Sequence, residues 1–434
     1  MKKILTVIIF VFAIFSILNA GTITVEERTD GIYVLTRFIE YRIDYMGNIQ
    51  EIYSTLERRT RIFLYSNDGF DITGLGTPTY SWQGLKDGDK YSEVNLKFDY
   101  GEVEKIFNFK EGPNYTFNVL INSSNDVIVS LPRVGFETDD RIRGNIFVSG
   151  YAKTKTVSIV KFNDKSLGGN KVSGSQLRFL VYIGPYKKTL IKDAFPEDYD
   201  TIIEMISSIS GLNSWFDYIK YPLVNFFGWI NDFTHNFGLT IIIFTVIVRF
   251  IFYPLYHAQT KSMIKMRKIQ PLVEQVKKKY KDPQKQQQEL LKIYKENKIN
   301  PASGCLMALI QLPVFIVLYQ VIRYYQEEFA FNASFLIWKD LASGGFSANW
   351  SFLIIQIIAG YYLAIITSQD TKTAWQSIIM SFVFPFLFIG LPSGVFLYYT
   401  ANTLIQLGTT YYIYKKYKIK GITHRELWGL PNKG

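Results

Sequence analysis

Six stretches of this 434-residue chain approach the length of a bilayer crossing: 4–20, 239–255, 302–322, 350–368, 374–391 and 395–413. A helix needs about 20 mostly apolar residues to span the hydrocarbon core. Lipid offers backbone amides no partners, so such a chain is committed to helices that satisfy their own hydrogen bonds. The second stretch carries Arg249, a charge costing about 2.5–3.5 kcal/mol near mid-membrane on insertion scales. A buried carboxylate partner is the ordinary remedy, and the spans contain none: Asp232, Glu327, Glu328 and Asp370 all fall outside them. Snorkelling is a second remedy, but the nearer helix end, by His257, is the C-terminal one, and helical side chains lean toward the N-terminus. A hydrated intramembrane cavity is the third, and the one expected here.

Net charge is +11, and its placement orients the spans. Residues 257–300 carry twelve Lys/Arg against four Asp/Glu, a net of +8; the tail from Lys415 carries six against one, a net of +5; residues 21–220 carry 24 against 27, a net of −3. Short basic loops stay in the cytoplasm. Both termini, the loop 257–300 and the turn 369–373 are therefore expected inside, with 21–238, 323–349 and 392–394 outside. Lys2 and Lys3 ahead of an apolar run read as a signal sequence. Leu18 is bulky for the cleavage site Leu18-Asn19-Ala20, so a retained signal anchor over 1–21 is expected. The single cysteine, Cys305, excludes an intrachain disulfide and a paired-cysteine metal site.

Residues 22–210 read as an extracytoplasmic all-β domain. Alternation is clear in Leu96-Lys97-Phe98-Asp99-Tyr100 and in Leu177-Arg178-Phe179-Leu180-Val181, with turn signals at Asp87-Gly88-Asp89 and Gly168-Gly169-Asn170. Many short strands at this spacing suggest a sandwich. All three histidines lie outside the domain, which excludes His-based acid/base chemistry there. Asp139-Asp140 point to opposite faces of a strand and make a poor dyad. A binding or scaffold role is expected.

Three further segments follow. Residues 211–236 form an aromatic-rich amphipathic stretch suited to the membrane interface, with Pro222 as an interruption. The loop 258–300 reads as two helices turned at Lys281-Asp282-Pro283, with a stripe of Met263, Met266, Leu272, Val273, Val276 and Tyr280 facing Leu290, Leu291 and Tyr294. Lys265, Lys277, Lys278, Lys279 and Lys281 crowd its other faces. They serve topology and anionic lipid, or dock a polyanionic partner; a basic run does not choose between these. Polar groups then gather in the spans: Thr245 on the face of Arg249, Gln311, Gln356, Tyr398, Tyr399 and Asn402. Singly each is an ordinary helix–helix contact; together they suggest one wet groove walled by the aromatic-rich fifth and sixth spans. A solute or proton-coupled transporter is the rival reading, disfavoured by the lack of an evident repeat.

Four motifs stand out across about residues 215–420: Ile247-Val248-Arg249-Phe250-Ile251-Phe252-Tyr253-Pro254-Leu255; Lys265-Met266-Arg267-Lys268-Ile269-Gln270-Pro271; Asn300-Pro301 and Gly304-Cys305 leading to Gln311-Leu312-Pro313-Val314-Phe315; and Pro392-Ser393-Gly394 with Leu397-Tyr398-Tyr399. In order and spacing they resemble one family, the YidC membrane-protein insertases. The resemblance implies a signal-anchor span (1–21), a periplasmic β-supersandwich (22–210), an interfacial helix (211–236), a second span (237–257), a cytoplasmic helical hairpin (258–300), four more spans (301–414) and a basic tail (415–434). It implies no enzyme and no cofactor, but insertion and folding of newly made membrane proteins in the bacterial inner membrane, alone or with the Sec translocon. The groove would hold Arg249, Thr245, Gln311, Tyr398, Tyr399 and Asn402. A slide for the apolar span would run past Phe315, Phe382 and Phe386. The hairpin and tail are the candidate docking points for the ribosome and the signal-recognition receptor, although the tail is short beside the long ribosome-binding tails of some members.

Overall fold

The structure is a computed structural model that describes residues 22–55, 60–62, 69–112, 115–135, 139–163, 166–212, 214–297, 315–332, 334–338, 340–368, 370–419 and 421–430. The first apolar stretch, Cys305 and Gln311 lie outside the described residues. The chain divides into two compact units at Ile219/Lys220.

Period-two alternation builds the first unit. Strand β8 (Val103–Lys110) buries Val103, Lys105, Phe107 and Phe109 and turns Glu104, Ile106 and Asn108 outward. It lies in a nine-stranded antiparallel sheet ordered β10-β11-β12-β14-β9-β8-β7-β6, with β13 paired only to β14. Its other members are β6 (Thr79–Asp87), β7 (Lys90–Asp99), β9 (Thr116–Ser130), β10 (Asp139–Arg143), β11 (Ile146–Tyr151), β12 (Thr156–Phe162), β13 (Ser166–Gly168) and β14 (Lys171–Pro185). A five-stranded meander, β1 (Thr24–Arg28), β2 (Gly31–Leu35), β3 (Ile39–Ile43), β4 (Ile49–Ser54) and β5 (Thr60–Ile62), forms the second sheet. Aromatic rings join the two. Tyr41 of β3 meets Phe109 and Phe117 at centroid distances of 5.0 and 5.2 Å, and Phe70 meets Phe179 at 5.3 Å. Beyond β14, helices α1 (Lys188–Ala194) and α2 (Tyr199–Ser207) follow; α2 buries Ile202, Met205 and Ile206 and packs on β10 and β11.

The helices that follow are α3 (Asp217–Thr234), α4 (Phe237–Ile251), α5 (Tyr253–Lys268), α6 (Gln270–Lys279), α7 (Pro283–Glu296), α8 (Phe315–Tyr324), α9 (Gln326–Asn332), α10 (Phe346–Thr367), α11 (Thr371–Leu387), α12 (Ser393–Lys416) and α13 (His424–Leu427). Among the described residues only α10 is both long and apolar enough to cross a membrane by composition; α4 and α8 are shorter apolar helices. The expected second span, 237–257, is in fact two helices. Pro254 cannot donate to Phe250 and its ring crowds that carbonyl, so α4 closes at Ile251 and α5 begins at Tyr253. Pro222, by contrast, sits within α3 without ending it. α10 packs on α11 and α12, and α12 on α4. The α10–α11 approach is close because both sides are small: a Cβ on Gly360 would lie 2.4 Å from Ser381.

Proline also divides the hairpin. Pro271 at the start of α6 separates it from α5 at Ile269. The buried pair is Ile269 and Val273, packed on Leu290, Ile293 and Tyr294. Leu272 and Leu291, expected in that seam, are exposed. The tail folds back as a clasp over the end of α10 and the start of α11. Ile422 and Leu427 pack with Ile365 and Ala374, Ile422 N donates to Ile365 O at 3.1 Å, and Trp428 meets Trp375 edge-on at 5.1 Å. Thr423 and Glu426 form a capping box on α13. Only glycine fits at 421, where a Cβ would lie 2.3 Å from Ile365 O.

One charge is sealed between the two sheets. Lys105 is fully buried, and its Nζ donates to Gly47 O at 2.8 Å, Phe70 O at 2.8 Å and Asn48 Oδ1 at 3.1 Å. Burial pushes its ammonium down to about 7, against the pull of the Asp71 and Asp44 carboxylates. Between that value and the ordinary 10.5, the unfolded chain holds a proton that the folded chain has released, so stability rises with pH across that window. Hydrogen-exchange protection of the β8 amides, corrected for intrinsic rate, is expected to increase from pH 6.5 to pH 9. Lys105→Met is expected to abolish that increase and to destabilise the sheet pair by about 3 kcal/mol, because it strands three acceptors.

Candidate functional site

α4 starts cleanly: the Asn236 side chain caps it by accepting from Leu239 N at 3.0 Å. Twelve residues beyond Phe237, Arg249 stands in the last turn, where a cation also complements the helix dipole. It is only 8% exposed. Its Nε donates to Asn402 Oδ1 at 2.6 Å, and its Nη2 donates to Asn402 O at 2.9 Å and to Gln406 Oε1 at 3.1 Å. Both acceptor residues lie on α12, one turn apart. The guanidinium carbon sits 4.4 Å from the centroid of the Tyr256 ring on α5. Among the described residues no carboxylate pairs with it. The guanidinium is thus hydrogen-bonded and stacked while its net charge stays uncompensated, since amides and a ring supply dipoles only.

The other expected groove residues divide. Asn402 holds Arg249 directly. Thr245 is buried one turn earlier on α4, but its hydroxyl donates to its own helix at Ile241 O, 2.6 Å; it belongs to the wall rather than to the arginine's partners. Tyr398 is buried. Tyr399 lines a crevice of about 10 Å³ with Phe315, Pro385, Phe388, Leu391, Val395 and Phe396, room for one water. Gln356 Nε2 donates to Thr400 Oγ1 at 3.1 Å, an interhelical bond between α10 and α12. Gln311 lies outside the described residues.

The expected slide separates into two places. Phe315 meets Phe388 at 6.1 Å inside the crevice lining, whereas Phe382 and Phe386 stack at 6.0 Å on an exposed face of α11. Phe382 and Phe386 lie one turn apart on one face of α11, whereas Phe388 caps the end of that helix. On the hairpin, Lys265, Lys278, Lys279 and Lys281 are exposed, and nothing further is described for the Lys277 side chain.

Sequence reasoning missed Gln406 and Tyr256. Asn402 and Gln406 are an i, i+4 pair on one face of a span, a signal available from spacing alone. Tyr256 was hidden by the break at Phe252, which changes its direction relative to Arg249.

The comparisons with known proteins agree with one another. The family described as 60Kd inner membrane protein matches residues 229–420. The membrane protein insertase YidC of Thermotoga maritima is 53% identical over 444 residues, covering 100% of this chain and 99% of that protein. That of Geobacter sulfurreducens is 34% identical over 227 residues, covering 50% of this chain and 41% of that protein. A crystal structure described as an active YidC insertase with its first transmembrane domain resolved superposes with a TM-score of 0.76 at 51% identity, covering 95% of this chain and 99% of the other. The crystal structure of Thermotoga maritima YidC gives 0.66 at 43% identity, covering 90% and 100%.

Asn402→Leu is expected to strand the buried Nε and lower stability by about 1.5–3 kcal/mol. A fall in thermal midpoint of the full chain in detergent checks this; an unchanged midpoint would mean that another acceptor replaces Asn402.

Proposed function

The chain belongs to the YidC family of membrane-protein insertases, and on that premise we propose that insertion runs through a polar groove centred on Arg249. The family has a β-sheet-rich periplasmic domain beside a helical core and resides in the bacterial inner membrane. The finer reading is ours. Both termini and the basic hairpin are cytoplasmic, the all-β part is a periplasmic supersandwich, and 237–257 with 301–414 make the five-helix insertase bundle behind a signal anchor. Charge asymmetry between the loops supports that orientation.

The observation that carries the mechanism is the neutrality of Arg249's partners. Asn402, Gln406 and Tyr256 satisfy its geometry without cancelling its charge. In surroundings of low dielectric, an uncompensated charge attracts an anion far more strongly than it does in water. An acidic residue on a substrate's polar tail therefore gains by approaching Arg249, and a polar groove shortens the apolar distance that tail must cross. The apolar segment leaves sideways into lipid past Phe315 and the exposed Phe382 and Phe386. Its burial in lipid, with the membrane potential acting on the tail, supplies the driving force. Newly made membrane proteins, alone or delivered by the Sec translocon, are the substrates. The exposed lysines of the hairpin suit the ribosome, the signal-recognition receptor and anionic lipid.

The direct test is photocrosslinking from position 311 or 399 to a stalled, ribosome-bound membrane protein in native vesicles. Adducts that appear only once the nascent apolar span has emerged are expected; their absence at every chain length, in competent vesicles, removes the mechanism.

Charge variants test the electrostatic step. Arg249→Ala is expected to slow insertion of acidic-tailed substrates by about tenfold, equivalent to about 1.4 kcal/mol, and to spare neutral-tailed ones. Asn402→Asp is expected to stabilise the fold by pairing Arg249 yet to slow the same acidic-tailed substrates. Equal losses for both substrate classes would sink the role given to charge.

A further inference from the structure

Ahead of α10 the chain makes a tight turn that the insertion mechanism does not use. Phe335 N donates to Trp338 O at 2.8 Å and Trp338 N to Phe335 O at 3.0 Å, so Leu336 and Ile337 form the tip of a two-residue hairpin. Glycine and small polar residues ordinarily fill such a tip. Here it carries two aliphatic side chains, 42% and 62% exposed. Leu336 also holds a φ of +56°, a left-handed conformation that strains leucine and that glycine or asparagine would adopt readily. Strain and exposed apolar surface at one turn point to a function for that turn.

The hairpin is held firmly from behind. Phe335 is buried against α4, where a Cβ on Gly238 would lie 2.1 Å from its ring. Asn236, the cap of α4, donates through Nδ2 to Ser334 O at 3.4 Å. Trp338 stacks on Phe352 of α10 at 4.1 Å and donates through Nε1 to Ser351 Oγ at 2.9 Å. Two helices thus clamp the base of the hairpin and leave its tip exposed.

That tip continues a longer apolar surface. Ile337 and Trp350 line one recess. Phe346, Trp350, Ile354 and Ile358 follow along α10 at four-residue steps, all of them exposed, so they share one face of the helix. α10 is the helix best suited by length and composition to cross a bilayer, and an exposed apolar stripe on such a helix faces lipid.

From this continuity we propose that the Leu336–Ile337 tip is a lipid anchor. It enters the acyl region of the leaflet around the N-terminal end of α10, the outer leaflet in the orientation proposed above, and fixes the depth at which α4 and α10 emerge. The chemistry of the tip favours lipid over a protein partner: it offers no aromatic or arginine side chain of the kind that anchors protein interfaces. Acyl chains carry no charge, so removing these two side chains from water favours burial whatever the headgroup.

Depth-dependent fluorescence quenching of the full chain tests the assignment, with its single cysteine replaced by Cys305→Ser. Ile337→Cys is labelled with a nitrobenzoxadiazole fluorophore and reconstituted into vesicles of phosphatidylethanolamine and phosphatidylglycerol. Strong quenching by a lipid spin-labelled high on its acyl chain is expected. Quenching by aqueous iodide is expected to be several-fold weaker than for the same label at Asp89→Cys, in the exposed turn between β6 and β7. Leu336→Asn suits the positive φ and removes one aliphatic group; it is expected to raise iodide quenching at 337 toward the Asp89 value. Iodide quenching at 337 equal to that at 89, or an unchanged depth in Leu336→Asn, overturns the proposal. Shielding from iodide without quenching by the spin-labelled lipid overturns it in favour of a protein partner. A label at Ile358→Cys reports separately whether α10 lies in lipid, and none of these readouts depends on insertion, so a failure here is separable from a failure of the Arg249 mechanism.

Discussion

A guanidinium held inside an apolar bundle by amides is the interaction on which the helical unit turns. Three hydrogen bonds fix Arg249 to α12, so α4 and α12 cannot shift past one another without exposing a buried donor. A carboxylate in place of Asn402 would hold the helices at least as well, but it would also spend the charge internally. The amide arrangement secures the geometry without neutralising the charge, which is what the insertion mechanism proposed for Arg249 requires of this position.

The β unit solves a similar problem with the opposite outcome. Lys105 is also buried and also met by neutral oxygens, yet it faces closed packing on every side. Its three acceptors tie β8 to the loop carrying Gly47 and Asn48 and to Phe70. There the amino group acts as a rivet, holding β8 to the loop and to Phe70 through three acceptors.

Much of this was legible in the sequence, for physical reasons that also explain the misses. Alternation in β7 from Val94 and in the Leu177–Val181 part of β14 is clear because one face is buried, so those strands announced themselves. Arg249 stood out because lipid makes a charge expensive, and Asn402 because a polar group in a span needs a partner. Gln406 did not stand out, since one glutamine near a helix end has many ordinary explanations; only its spacing from Asn402 distinguishes it. The hairpin seam was misread by one position. Pro271 restarts the helix at Gln270, and the new helix turns Ile269 and Val273 inward while Leu272 points out. Periodicity counted across a proline carries the wrong phase. Pro254 likewise divides the stretch 237–257 into two helices that periodicity alone ran together.

The tail clasp has a consequence for the order of assembly. Its residues, 421–430, pack against the turn between α10 and α11, which is made some fifty residues earlier. While the intervening residues are synthesised, that turn is without its cover. The Ile365 carbonyl and the Trp375 indole meet Ile422 and Trp428 only once the chain has passed beyond α12. Emergence of this segment, rather than the packing of α10 on α11 alone, is the event that closes this face of the bundle.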